Sequence, residues 1–131
     1  MLVRNVHVAP TDEEAMADAE PALTHMLILF KDAAVPPDLS LLPDSYAFHR
    51  EAFRAFEEPP ERFDDVVGAG LVLCGSPETV RRQLEEQIDT VGLRQVCLLF
   101  AFGNLPHDKV TRSMDLFATQ VMPWLKERAG S

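Results

Sequence analysis

The sequence predicts an α/β protein with parallel strands. Leu71 to Cys74 and Val96 to Phe100 are continuous apolar runs, the pattern of strands covered on both faces rather than wet on one. Each run leads straight into a helix start, and Ser76 to Val91 is long enough to be the crossover that parallel neighbours need. A third strand-then-helix pattern opens the chain.

Leu2 to Val8 reads as a strand with Leu2, Val6 and Val8 on one face and Val3, Asn5 and His7 on the other. Pro10 stops it, and Thr11 with Glu14 forms a capping box that starts a helix. The acids Asp12, Glu13 and Glu14 suit the positive end of that helix. It runs through Ala15 and Ala19 toward Phe30, with a bend expected at Pro21. Pro36, Pro37 and Pro43 mark a loop from Val35 to Pro43. Helical spacing returns from Asp44 to Glu57 and ends at Pro59 and Pro60, with one or two further turns from Glu61 to Val67. Phe48, Phe53, Phe56 and Phe63 form either the small core of this excursion or the lining of an apolar pocket.

After Gly68 and Gly70 comes the second strand. Gly75 then permits a tight turn, Ser76 caps and Pro77 takes the first helical position. Val80, Leu84, Ile88 and Val91 give that helix its buried stripe, and Gly92 ends it. The third strand is expected from Gln95 to about Phe102, with a loop at Gly103 and Asn104. Pro106 opens the last helix. Its stripe is Val110, Met114, Phe117, Val121 and Leu125, and Pro123 is expected to kink it. The final Ala-Gly-Ser is expected to fray.

With 131 residues, 47% of them hydrophobic and 25% charged, the chain is one domain's worth of globular protein, able to bury about two-thirds of its surface. A net charge of −9 argues against nucleic acid or an anionic membrane as partner. No run nears the roughly 20 apolar residues that span a bilayer. The first residues lack the apolar region and cleavage site of a secretory signal. A cytoplasmic location is the expectation. Cys74 and Cys97 read as two buried thiols used as small hydrophobes. Neither metal-ligand spacing, nor a Gly-rich phosphate loop, nor a Ser/His/Asp order stands out.

Three groups of residues fall at the carboxyl ends of the strands: His7 with Thr11, Gly75 with Ser76, and Phe102 with Gly103 and Asn104. Ser76 reads as a plain helix cap, and beside it the free N–H groups of a helix start are a candidate anion seat. His7 reads as a satisfied structural histidine or as a residue at the mouth of a site. His107, in the first turn of the last helix, reads as solvent-facing, and His25 and His49 have no partner pattern. Asp64-Asp65 and Glu57-Glu58 read as solvated acids.

The segments RNVHVAPTDEEA, CGSPETVRRQLEEQ and FGNLPHDKVTRSMDLFATQVMPWL together resemble the C-terminal end of the luciferase-like flavin-dependent monooxygenases. That resemblance implies a partial TIM-barrel-like (βα)3 unit, the last three units of a (β/α)8 barrel. It would form a single domain over residues 1–131 with a helical insertion at about 32–68. It implies chemistry with reduced flavin (FMN or a deazaflavin) and dioxygen on an apolar or aldehyde-like substrate. Gly75, Ser76, Gly103 and Asn104 are then the candidate cofactor-binding residues, and His7 and Phe102 the candidate substrate-binding ones. The resemblance names no catalytic residue. Three strands cannot close such a barrel, so a homo-oligomer, or a chain that supplies the missing strands, is expected. The other function the residues allow is non-catalytic: an orphaned barrel fragment serving as an oligomeric scaffold or binding module.

Overall fold

The computed structural model describes residues 1–50, 62–92 and 94–130. Strand β1 spans Leu2–Val8, helix α1 Asp12–Ala34, helix α2 Phe63–Gly68, strand β2 Val72–Gly75, helix α3 Pro77–Val91 and strand β3 Val96–Leu99. Helix α4, His107–Leu116, continues through a π turn at Phe117–Val121 into α5, Met122–Ala129. Short 3₁₀ turns at Leu39–Leu41 and Asp44–Tyr46 occupy the connection after α1.

The local signals act where they were expected. Thr11 Oγ1 accepts from the Glu14 N–H at 3.2 Å and opens α1. Ser76 caps α3 with Pro77 behind it, and Gly92 closes α3 in the left-handed region at φ 62°. Pro21 lies inside α1, which runs four residues past the expected Phe30. Pro123 has no N–H to offer the Thr119 carbonyl. The chain answers by widening the preceding turn, so that the Met122 N–H reaches back five residues to the Phe117 carbonyl.

All three strands are parallel, in the order β2-β1-β3. The register sets Val6 beside Leu73 and His7 beside Cys74 on one side of β1, and Val3 beside Cys97 and Asn5 beside Leu99 on the other. Side chains alternate across the sheet, and each face has its own cover. Val6, Val8 and Leu73 pack with Val80 and Leu84 of α3 and with Phe117 and Val121 of the π turn. Val72 and Cys74 on the opposite face pack with Ala15, Ala19, Ala22 and Leu23 of α1 and Val66 of α2. The result is three layers, helix on sheet on helix.

A (β/α)8 barrel sets successive strands side by side with its helices outside. Here the parallel α/β expectation holds, while β1 lies between β2 and β3 and helices use both faces. The sheet face opposite α3 is covered by α1 over its β2 half.

Several expectations fail, each for a reason of position. β3 ends at Leu99 rather than near Phe102, and its residues alternate between half-buried and exposed. An edge strand with a helix on one face only cannot bury a continuous apolar run. Cys97 is accordingly exposed, and only Cys74 is a buried thiol. Met114 is 50% exposed, and the neighbouring Ser113 is fully buried instead, because α4 turns that side toward β1. Val91, the last residue of α3, is 65% exposed. Phe48 is 79% exposed, whereas Phe63 packs against the α1 side of the core. Phe53, Phe56 and the expected Glu57-Glu58 acids lie outside the described residues. His49 stands 5.4 Å from the Tyr46 ring and 5.8 Å from the Phe48 ring.

Candidate site at the carboxyl ends of the strands

Parallel strands bring all three expected groups to one end of the sheet. α1 leaves β1 toward one face, while the helix that follows β3 carries its π turn onto the other. In an open α/β sheet the crevice at such a divergence, outside the carboxyl ends of the strands, is where ligands bind. Side chains from α1 and α4 bridge it. Arg112 Nη1 donates to Glu14 Oε1 at 2.9 Å, and the Lys109 ammonium donates to Asp18 Oδ1.

His7, near the carboxyl end of β1 where the two helices diverge, is 1% exposed. Its Nε2 lies 3.3 Å from Asp18 Oδ2, and the Asp18 side chain is itself only 11% exposed. The carboxylate therefore takes a hydrogen bond on each oxygen, from His7 and from Lys109. His7 Nδ1 is buried without a hydrogen-bond partner. Burial pushes the His7 pKa below its usual 6.5, and this outweighs the opposing pull of Asp18. The ring is neutral at pH 7. Asp18 raises the Lys109 pKa through their hydrogen bond. Cys74, beside His7 in the register, is a protonated thiol, because burial raises its pKa to about 12.

The anion seat expected at Gly75 and Ser76 is filled by the chain itself. Asp12 Oδ1 accepts from the Ser76 N–H at 2.6 Å, and its Oδ2 accepts from Thr79 Oγ1 at 2.9 Å. The Ser76 N–H bond is the chief reason that the Asp12 carboxyl titrates below its usual 3.8. One carboxylate thus serves the first turns of both α1 and α3. A phosphate at this turn would meet Asp12, so the residues present do not fit a flavin phosphate there. Gly75 is required by crowding: at φ 151° an added Cβ would lie 2.6 Å from Thr79 Cγ2 and 2.8 Å from Asp12 Oδ1.

The third group divides. Phe102 is 6% exposed and packs into the α1 side of the core. Gly103, at φ 56°, lets the loop lie against α1, where a Cβ would fall 1.8 Å from the Ala22 carbonyl oxygen. Asn104 faces an open hollow of about 600 Å³ with Glu20, Pro21, Thr24, His25 and Ile28. A second hollow of about 370 Å³ lies between α3 and α5, where Arg81 stacks 5.4 Å from the Trp124 ring. Glu78 and Glu85 share that hollow with Arg81 and Arg82, so it presents no net charge to a ligand.

His7 is thus the one expected site residue that lands in a polar cluster within the crevice. Asp12 and Lys109 had no sequence signal beyond a place in the first turns of their helices, and Asp18, a turn further into α1, had none. Only the pairing of β1 with both neighbours brings them together.

In comparison with known proteins, no family model and no curated protein matches the chain. Among solved structures it is similar to the crystal structure of the monooxygenase RslO1 from Streptomyces bottropensis, with a TM-score of 0.62 and 21% identity. The match covers 94% of this chain and 30% of that one. The likeness is one of fold, and the chain spans less than a third of the neighbour. Among the described residues no helix is long and apolar enough to cross a membrane.

Proposed function

We propose that this chain is a three-unit α/β part of an oxygenase-type oxidoreductase. The observation that carries the reading is the fold shared over 94% of the chain with part of a monooxygenase, together with a polar cluster at the carboxyl ends of its strands. The finer reading, from the three sequence motifs, is a luciferase-like enzyme using reduced flavin and dioxygen on an apolar or aldehyde-like substrate. A flavin would supply the oxygen chemistry when bound. The residues here supply something narrower: a buried histidine near the carboxyl end of β1 and a loop at Gly103 and Asn104 that closes onto α1. Because Asp12 occupies the start of α3, the flavin of this reading is held by further units or by a second copy, not by the Gly75–Ser76 turn.

An assembly also answers the remaining apolar surface. Val3 and Leu99, neighbours on the sheet face that α1 leaves open, are each 45% exposed. Among the described residues no strand pairs with the outer edge of β2 or of β3. A homo-oligomer joined there, or a chain bringing further strands, covers them.

The second reading is a non-catalytic scaffold or binding module, favoured by the self-filled helix start. One titration separates the two. The purified chain is titrated with FMN by flavin fluorescence while its mass in solution is recorded. Saturable micromolar binding by an oligomer supports the oxidoreductase reading, with oxygen-dependent turnover of an aldehyde as the next step. An absence of binding up to about a millimolar, some 4 kcal/mol of affinity, leaves the scaffold reading.

A further inference from the structure

We propose that His7 Nδ1 is the proton-accepting atom of a ligand site in this crevice, and that the site takes a neutral hydroxyl or N–H donor rather than a carboxylate. The argument is one of hydrogen-bond accounting. A carboxylate can only accept, so Asp18 Oδ2, 3.3 Å from His7 Nε2, requires the proton on Nε2. A neutral imidazole carries one N–H, which leaves Nδ1 as a bare lone pair. That lone pair is buried with no partner, on a residue 1% exposed. A buried acceptor left empty is costly, and it lies where open α/β sheets bind ligands. What would complete it is a donor. A carboxylate would set lone pair against lone pair.

Lys109 is the outer wall. Its side chain is 42% exposed, against 11% for Asp18 and 2% for His7. The charged groups around the ring are Asp18 and Glu14 from α1 and Lys109 from α4, with Arg112 of α4 holding Glu14. On the β2 side the neighbour is the uncharged Cys74 thiol. Asp18 is a positioning residue in this scheme, since it fixes the tautomer without facing the ligand. If the donor's proton moves to Nδ1, the imidazolium formed is paired with the Asp18 carboxylate, and the ligand oxygen or nitrogen keeps the electron pair.

The inference deepens the oxygenase-type reading and rests on it only for the class of reaction. Its test needs no flavin. The intact chain, labelled with ¹⁵N at its histidines, is observed by long-range ¹⁵N–¹H correlation at pH 7, with His7→Gln assigning the His7 signals. The expected result is a protonated Nε2 and an unprotonated Nδ1. On titration with phenol as the probe, the Nδ1 resonance should shift and saturate, while benzoate at the same concentrations leaves it in place. In Asp18→Asn the tautomers should mix. A protonated Nδ1 in the wild-type chain overturns the proposal, as does an equal response to benzoate or an Nδ1 signal that phenol does not move. Failure of FMN to bind, with the phenol response intact, would remove the flavin reading and keep this one.

Discussion

His7 is the residue through which pH should act on this fold. Burial lowers its pKa from 6.5, so below that value the unfolded chain binds a proton that the folded chain resists. Stability is therefore complete above 6.5 and declines as the pH falls toward the lowered folded value. Urea unfolding at a series of pH values should show this decline, and His7→Gln should flatten it below pH 6.5. An unchanged slope in the variant would place the effect elsewhere. Ser113 offers a cleaner single-bond test. Its Oγ accepts from the Val8 N–H at 2.8 Å, and the residue is fully buried. Ser113→Ala leaves that N–H without a partner and should cost about 1–3 kcal/mol, read from the urea midpoint. Gly103→Ala meets the Ala22 carbonyl at a left-handed position. It should lower stability by about 1–3 kcal/mol or more, with the loop lifting off α1.

At the scale of elements, the first turns of α1 and α3 are tied through one side chain. Asp12 accepts from Ser76 and Thr79 on the far side of a crossover, a separation of 64 positions for the Ser76 bond. Its carboxyl titrates below 3.8, so this part of the stability persists above 3.8 and is lost only as the pH falls further. The acid unfolding of the chain should accordingly fall into two windows, the first from His7 and the second including Asp12. Asp12→Asn should remove part of the second while leaving the first. The π turn at Phe117–Val121 belongs to this scale too. Pro123 forces the helix to widen, and Phe117 and Val121 still reach the core beneath it. A kink was legible at Pro123; the widened turn that absorbs it was not.

For the whole molecule, strand order decides what is covered. With β1 central, its Val6, His7 and Val8 are buried. The edge strand β3 keeps Leu99 45% exposed beside the similarly exposed Val3. If copies associate through this face, Leu99→Lys should weaken association by about tenfold or more. That is the scale of losing one apolar anchor of roughly 1.5 kcal/mol. Sedimentation across a range of concentrations checks it, and a wild-type chain that stays monomeric throughout sinks the self-association proposal.

Most elements were readable from the sequence, because caps and stops act within a few residues. Thr11, Ser76, Pro77 and Gly92 mark their helix ends through bonds to near neighbours. The parallel sheet was readable from its apolar runs, and the placing of His7, Gly75 and Gly103 at strand ends followed from it. What the sequence alone could not determine was which strands are neighbours, which of the three end groups faces a crevice, and what fills the start of α3. Those depend on bonds such as Asp18 to Lys109, 91 positions apart, and Val8 to Ser113, 105 apart. No local periodicity encodes a contact of that span. Only the folding of α1 and α4 about β1 brings the three side chains of the crevice together.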